Sequence, residues 1–159
     1  MIPKVKNILY VSDLEDGSRP AFRMAISIAE QYAANIVFLH VITPIPESVI
    51  FALETNLPPE VYKKLQQDGI YDLKEVMNKR ITEFCDVELE SLDWLPEIES
   101  IISKGEVHSK IVETAALKNA DMIVMGTRTH SASKQFFMGS VANKVMRSSD
   151  VPVLVVPLN

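Results

Sequence analysis

The sequence predicts an α/β protein in which a parallel β-sheet lies between helices. Short apolar runs bounded by polar or turn residues alternate along the chain with longer segments of helical periodicity. Continuous apolar runs are typical of strands buried on both faces, and strands that alternate with helices favour a parallel sheet with right-handed crossovers. With 159 residues, of which 47% are apolar and 23% charged, the chain is expected to form one domain over residues 1–159.

The first strand and helix are predicted from an apolar run and the periodic segment that follows it. The strand covers Asn7–Ser12 and ends at Asp13, and Pro20 suits the first turn of a helix. The second strand is predicted over Ile36–Val41. Apolar residues between these strands recur at spacings of three and four, which indicates an amphipathic helix of about four turns. Its expected buried side comprises Ala21, Met24, Ala25, Ile28, Ala29 and Tyr32.

Residues 43–60 show no clear period and are predicted to form a long loop or lid, with a candidate helical turn around Val49 to Leu53. Four of the nine prolines lie between Thr43 and Pro59, and loops this long are often functional. A charged helix is predicted from Glu60 to about Cys85, with Gly69 as a candidate break. The candidates for its buried side are Val61, Leu65, Leu73, Val76, Met77, Ile81 and Phe84.

The second half of the chain contains three further predicted strands, over 98–102, 122–125 and 152–156. Helices are predicted over about 107–119 and 138–149, and a polar loop from Thr127 to about Gln135. Residues 86–96 fit no clear pattern, although Leu89, Leu92 and Trp94 could pack over a sheet edge. The helix over 107–119 is expected to bury Ile111, Val112, Ala115 and Ala116.

The stretch from the fourth strand to the last helix is a candidate anion site. Gly126 is predicted to end the strand, and Gly139 precedes Ser140, which is a natural N-cap. A helix N-terminus presents free backbone N–H groups and the positive end of the helix dipole to the loop before it. The alternative is that one glycine only ends a strand and the other only opens a helix.

The same spacing resembles the nucleotide-binding loop of the universal stress protein family. The family pattern is G-x-x-G, nine residues, then G-[S/T], and this chain matches it at Gly126 and at Gly139-Ser140. Thr129 replaces the second glycine. The resemblance covers nearly the whole chain and implies a doubly wound five-stranded sheet with strand order 3-2-1-4-5 and helices on both faces. It also implies ATP or another adenine nucleotide as ligand, with or without Mg²⁺, and a homodimer through the C-terminal strand 151–157.

With that strand order, the topological switch point lies between strands 1 and 4, where ligands of open α/β sheets bind. Asp13 is expected to contact a ribose or to assist Mg²⁺ indirectly; alternatively it only caps the next turn. Thr129 is β-branched and avoids positive φ, so either the loop follows a different path here or the phosphate contact is displaced. Its hydroxyl could instead donate to a phosphate oxygen, and the remaining alternative is that the loop has lost the ligand. The predicted binding residues are Val11, Ser12, Asp13, Val41, Met125, Gly126, Arg128, Thr129, His130, Gly139, Ser140 and Val141.

Charge and composition exclude several other functions. A net charge of −5 disfavours nucleic acid or an anionic membrane as partner. Cys85 is the single cysteine, the three histidines lack zinc-ligand spacing, and His40 is expected to be a core or strand-end residue. No apolar run approaches the roughly 20 residues of a membrane span, and no signal-peptide pattern opens the sequence. A cytoplasmic protein is therefore expected.

Three functions are compatible with this sequence. The leading hypothesis is a cytoplasmic stress-response protein that binds an adenine nucleotide and acts as a nucleotide-dependent dimeric regulator of an unknown protein partner. The first alternative is a dimeric interaction module of the same family without a nucleotide, which Thr129 favours. The second is a slow ATP hydrolase, although no nucleophile–base arrangement such as G-x-S-x-G is present.

Overall fold

The computed structural model describes residues 2–88, 94, 96–128 and 138–158. Its strands are β1 (Asn7–Val11), β2 (Asn35–Ile42), β3 (Ile98–Lys104), β4 (Met122–Arg128) and β5 (Val153–Leu158). Its helices are α1 (Arg19–Tyr32), α2 (Glu47–Asn56), α3 (Pro59–Glu88), α4 (Val107–Leu117) and α5 (Ser140–Ser148), and a short 3-10 turn over Asp16–Ser18 precedes α1.

The five strands form one sheet with the order β3-β2-β1-β4-β5. Every neighbouring pair is parallel. This arrangement confirms the predicted sheet and its strand order 3-2-1-4-5. The order reverses at β1, which pairs with β2 on one side and with β4 on the other, so the switch point lies between β1 and β4.

Alternate residues of each strand point to opposite faces of the sheet and contribute to two apolar layers, one on each face. Tyr10 of β1 packs in the layer that contains Phe22 of α1 and Met77 of α3, whereas Leu9 packs in the layer that contains Ile111 of α4 and Val145 of α5. Helices therefore cover both faces, as predicted. Among the described residues, no helix is both long enough and apolar enough to cross a membrane.

The buried side of α1 differs from the prediction at several positions. Phe22 and Ile26 are buried beside the expected alanines, whereas Met24 is 43% exposed and Tyr32 is 57% exposed. Phe22 is buried because its ring stacks on Tyr10, with 4.9 Å between the ring centroids. The helix ends at Ala33, whose left-handed φ of 50° closes the last turn.

The prediction of a long loop over residues 43–60 is wrong, because α2 occupies most of this segment. Pro46 immediately precedes α2 and Pro59 begins α3, so neither removes a hydrogen bond from a helix interior. No residue of α2 is buried, so no core contact imposes a hydrophobic period on its sequence. Gly69 does not break α3, which continues for 30 residues.

The other expected core positions are confirmed in part. Met77 and Phe84 of α3 are buried, whereas Leu65 is 57% exposed. α4 buries Ile111 and Ala115 together with Thr114, and Ala116 is exposed. Trp94 packs against the layer of α1 and α3, and Leu89 and Leu92 lie outside the described residues.

Candidate functional site

A cavity of about 330 Å³ lies beyond the carboxyl ends of β1, β2 and β4, at the switch point of the sheet. Apolar side chains form much of its wall, and a smaller polar group lies along the strand ends. The apolar wall contains Val11, Val41, Val107, Ile111, Met125 and Val141. The polar side contains Ser12, Asp13, Ser18, His40 and Thr43. This mixture is typical of a site for a small organic ligand with a polar end.

Seven of the twelve predicted binding residues line this one cavity: Val11, Ser12, Asp13, Val41, Met125, Gly126 and Val141. Arg128, Gly139 and Ser140 are described but are not part of its wall. Thr129 and His130 lie outside the described residues. The structure thus brings together the predicted residues of β1, β2 and β4, and their role in binding stays a prediction.

Ser12 fixes the turn that leads from β1 towards α1. Its backbone N–H donates to Leu39 O at 3.0 Å, and its Oγ accepts from the backbone N–H of Leu14 at 3.0 Å. The Oγ atoms of Ser12 and Ser18 are 3.5 Å apart. Leu14 has a φ of 63°, a conformation that costs energy for a leucine, so these bonds stabilise a strained turn. Ser12 therefore shapes the cavity by holding its rim.

Asp13 is exposed at the rim and accepts a hydrogen bond from the backbone N–H of Glu15 at 2.9 Å through Oδ1. This hydrogen bond matches the alternative in which Asp13 only caps the next turn. Among the described residues, no three His, Cys, Asp or Glu side chains form a metal-binding cluster. Asp13 is the one carboxylate among the described residues that line the cavity. A single carboxylate suits an indirect contact to an Mg²⁺ held by phosphates, not a cage built from protein ligands alone.

His40 lies at the end of β2 and also lines the cavity. Its Nδ1 is 2.8 Å from the carbonyl oxygen of Ser12. Because a carbonyl oxygen can only accept, Nδ1 is the donor in this contact. His40 thus joins β2 to the turn after β1, in keeping with the expected strand-end histidine.

The sequence predicted that Gly126 ends the fourth strand. This prediction is wrong, because β4 continues to Arg128. Gly126 pairs with Val156, and the two residues after it pair with Pro157 and Leu158. A Cβ atom at Gly126 would lie 2.4 Å from Cδ1 of Leu158. Gly126 is therefore required for the packing of β4 against β5. The predicted polar loop also begins later than Thr127, which is 5% exposed within the strand.

The N-cap of α5 is Gly139, and Ser140 is the first residue of the helix. The predicted N-cap role of Ser140 is wrong, because the backbone N–H of Gly139 donates to Thr127 Oγ1 at 3.0 Å and fixes the start of the helix one residue earlier. Gly139 offers no side-chain acceptor to the N–H groups of the first turn. Val141 places that turn at the wall of the cavity.

The other seven lining residues were not predicted as binding residues, namely Tyr10, Ser18, His40, Thr43, Val107, Ile111 and Leu158. Val107 and Thr43 follow the carboxyl ends of β3 and β2. The topology provided a signal for these two, because in a parallel sheet all such connections gather at one edge. No sequence pattern indicated Leu158, which comes from the far end of the chain.

The sheet order, the cavity at its switch point and the helix N-terminus beside that cavity define a doubly wound α/β protein with a crevice where open α/β sheets of this kind bind ligands. The model of the Universal stress protein family matches residues 4–157. The chain belongs to the universal stress protein family.

Individual relatives agree with this assignment. Universal stress protein MJ0531 of Methanocaldococcus jannaschii is 31% identical over 156 residues, which cover 95% of this chain and 81% of that protein. The solved structure of MJ0577 is 27% identical, has a TM-score of 0.73 and is matched over 99% of both chains. Two further structures share the fold. One is a universal stress protein in complex with cAMP (19% identity, TM-score 0.58, 99% and 100% coverage). The other, from Archaeoglobus fulgidus, is in complex with dAMP (20% identity, TM-score 0.60, 98% and 99% coverage).

Proposed function

We propose that this chain is a single-domain cytoplasmic stress-response protein that binds ATP or a related adenine nucleotide in the cavity between β1 and β4. The observation that carries the proposal is the start of α5. This helix begins without a side-chain cap, and its first turn lies at the wall of a largely apolar cavity. A flat apolar base and a charged phosphate need these two environments side by side.

Different walls of the cavity suit different parts of the nucleotide. Val41, Met125 and Val107 are suited to an adenine ring, because each offers apolar surface near a strand end or a helix start. The first turn of α5 is suited to phosphate, because its N–H groups and the helix dipole favour negative charge. Asp13 is suited to a ribose hydroxyl. Bound Mg²⁺ would neutralise phosphate charge, and Asp13 is the residue that would assist it.

The named ligands of two structural neighbours support the choice of ligand. One neighbour was solved with cAMP and the other with dAMP. At 19% and 20% identity these structures establish only the shared fold for this chain. The adenine nucleotide is therefore inferred from the cavity of this chain together with its family, and the choice between ATP and a monophosphate is open to experiment.

Ser140→Asp tests the proposed phosphate position, because it adds one negative charge at the exposed first residue of α5. An acidic residue there interacts favourably with the helix dipole, so the melting temperature should stay the same or rise. The same charge repels phosphate, so affinity for Mg-ATP in calorimetric titration should fall at least tenfold, about 1.4 kcal/mol. Gln67→Glu makes an equal charge change on exposed α3 and should leave affinity unchanged. A folded Ser140→Asp variant that binds as well as wild type would remove α5 from the site.

The family also supports a homodimer through the C-terminal strand, and we propose that nucleotide state is read by a protein partner of this dimer. A nucleotide-free interaction module is the second candidate. Its support is the large exposed apolar surface of α2 and α3, where Phe51 is 72% exposed and Tyr71 is 70% exposed. Mass spectrometry of denatured protein separates the two, because only the first should release a co-purifying adenine nucleotide. Phosphate release from Mg-ATP in the same preparation tests for slow hydrolysis.

A further inference from the structure

A single hydrogen bond joins the end of β4 to the start of α5. The backbone N–H of Gly139 donates to Thr127 Oγ1 at 3.0 Å, across 12 positions of the chain. Gly126, the residue before Thr127, lines the cavity between β1 and β4, and so does Val141, two residues after Gly139. The bond therefore connects a strand wall of the cavity to the helix turn that is proposed to receive phosphate.

The side chain of Thr127 meets α5 because of its position in β4. Met125 packs in the apolar layer of α4 and α5, and residues two apart in a strand point to the same face of the sheet. Thr127 therefore faces this layer, and it is 5% exposed. Valine has nearly the same shape and no hydroxyl to remove from water, so packing alone does not explain a threonine at this buried position.

The bond fixes the first turn of α5 without using the N–H groups of that turn. Gly139 is the N-cap, and its carbonyl oxygen accepts from the N–H of Asn143 at 3.1 Å. The same residue is thus tied to β4 on one side and to the helix on the other. A Cβ atom at Gly139 would lie 3.3 Å from Thr127 Oγ1, so the close approach of the hydroxyl depends on the glycine. The N–H groups that follow Gly139 stay available to a ligand.

We propose that Thr127 is a positioning residue of the nucleotide site, whose hydroxyl holds the first turn of α5 where that turn can receive phosphate. Thr127 acts through Gly139, since it is not itself part of the cavity wall. The inference rests on the proposed function, because it concerns the phosphate end of the same site. It follows that binding of a phosphate-bearing ligand depends on Thr127, whereas binding of the base and ribose alone does not.

Calorimetric titration of the full chain with Mg-ATP and with adenosine tests this dependence. Thr127→Val removes the hydroxyl and keeps the shape, so it should weaken Mg-ATP about five- to tenfold and adenosine less than about twofold. Thr127→Ser keeps the hydroxyl and should bind both ligands within about twofold of wild type. Thr114→Val is the control, because Thr114 is 7% exposed, lies outside the cavity and donates to Lys110 O within α4 at 2.7 Å. It should change neither affinity.

Amide hydrogen exchange on wild type without ligand tests the bond itself. The Gly139 N–H should exchange at least about tenfold more slowly than an unprotected amide, and an unprotected Gly139 N–H would overturn the inference. Unchanged or tighter binding of Mg-ATP by Thr127→Val would also overturn it. So would equal losses for Mg-ATP and adenosine, because they would indicate general damage to the cavity. If wild type binds neither ligand at millimolar concentration, the proposed function fails, and this inference fails with it.

Discussion

At the scale of single residues, Gly126 leaves the space that the side chain of Leu158 occupies. Cγ of Leu158 would lie 2.8 Å from a Cβ atom at Gly126, in addition to the overlap with Cδ1. Leu158 is 7% exposed, so its side chain has little room to turn away. The glycine is therefore needed by the sheet, whether or not the cavity binds a ligand.

Gly126→Ala should destabilise the protein by about 1–3 kcal/mol, as overpacking of a filled core does. Gly69→Ala is the matched control, because no atom lies within 4 Å of a Cβ there and the glycine sits inside α3. That variant should gain roughly 0.5–1 kcal/mol, as alanine replaces glycine in a helix. Urea denaturation measures both changes.

A double-mutant cycle identifies the cause of the loss. Leu158→Ala removes the atoms that overlap. Gly126→Ala should therefore destabilise the Leu158→Ala variant by at least about 1 kcal/mol less than it destabilises wild type. The same cost in both backgrounds would show that another contact explains the glycine.

The sequence predicted seven residues around the cavity because the ends of parallel strands share an edge. The sequence could not predict the structural role of Gly126. A glycine that ends a strand and a glycine that leaves room for a neighbouring side chain both appear after an apolar run, so the two roles give the same sequence pattern. The distinction depends on Leu158, a contact between distant parts of the chain. Ser140 was misplaced for a similar reason, because the hydroxyl of Thr127 sets where α5 begins.

At the scale of elements, α4 begins with a charged cap beside the crevice. The Glu106 side chain accepts from the backbone N–H of Ser109 at 2.9 Å, and His108 Nδ1 is 2.5 Å from Glu106 Oε2. Lys144 of α5 lies 4.0 Å from the other oxygen. The hydrogen bond from Ser109 is the main cause that lowers the pKa of Glu106 to about 2, and His108 adds to it.

This cap should make stability depend on pH in a defined direction. A carboxyl with a lowered folded-state pKa contributes stability above its ordinary value of 4.5, and that contribution is lost as pH falls towards about 2. Glu106→Gln keeps an acceptor at the N-cap but has no charge to lose. The melting temperature of wild type should exceed that of the variant at pH 7, and the difference should shrink between pH 4.5 and 2.

The control for this titration is Glu75→Gln, at an exposed position of α3. Its melting curve should follow that of wild type through the same acid range. A constant difference between wild type and Glu106→Gln from pH 7 to 2 would contradict the charged cap.

Elements with a core face could be predicted from the sequence, and those without one could not. α4 and α5 have buried positions at helical spacing, so their existence was clear. α2 buries nothing, and its sequence carries no period to detect. The end of β4 was also misjudged, because Thr127 and Arg128 are polar and are in the strand only through pairing with β5.

At the scale of the whole molecule, the sheet ends at β5, which pairs with β4. The periodicity predicted a parallel sheet but could not fix the strand order, and the family resemblance was needed to place β5 at the edge. Val153 and Val155 contribute to the layer of α4 and α5, and Leu154 and Val156 to the layer of α1 and α3. An apolar strand at a sheet edge presents unpaired backbone groups that a second copy can satisfy.

The outward backbone groups of β5 follow from its register. Ile123 pairs with Val153, and its N–H donates to Pro152 O at 2.9 Å. In a regular parallel ladder the N–H groups of alternate residues point to the same side. The N–H groups of Leu154 and Val156 therefore point towards β4, and those of Val153 and Val155 point outward, where the proposed dimer would use them.

Val155→Pro tests the dimer, because it removes an outward donor and leaves the donors that bond to β4. We expect a folded monomer, since proline is tolerated on an edge strand when its missing N–H faces away from the sheet. Leu154→Pro is the control: it removes a donor of the ladder with β4 and should lower the melting temperature. Light scattering on gel-filtered wild type should give twice the chain mass of 17.8 kDa, and Val155→Pro should give the chain mass itself. A wild-type mass of 17.8 kDa at micromolar concentration would exclude the dimer, and a dimeric Val155→Pro variant would move its interface away from the β5 edge.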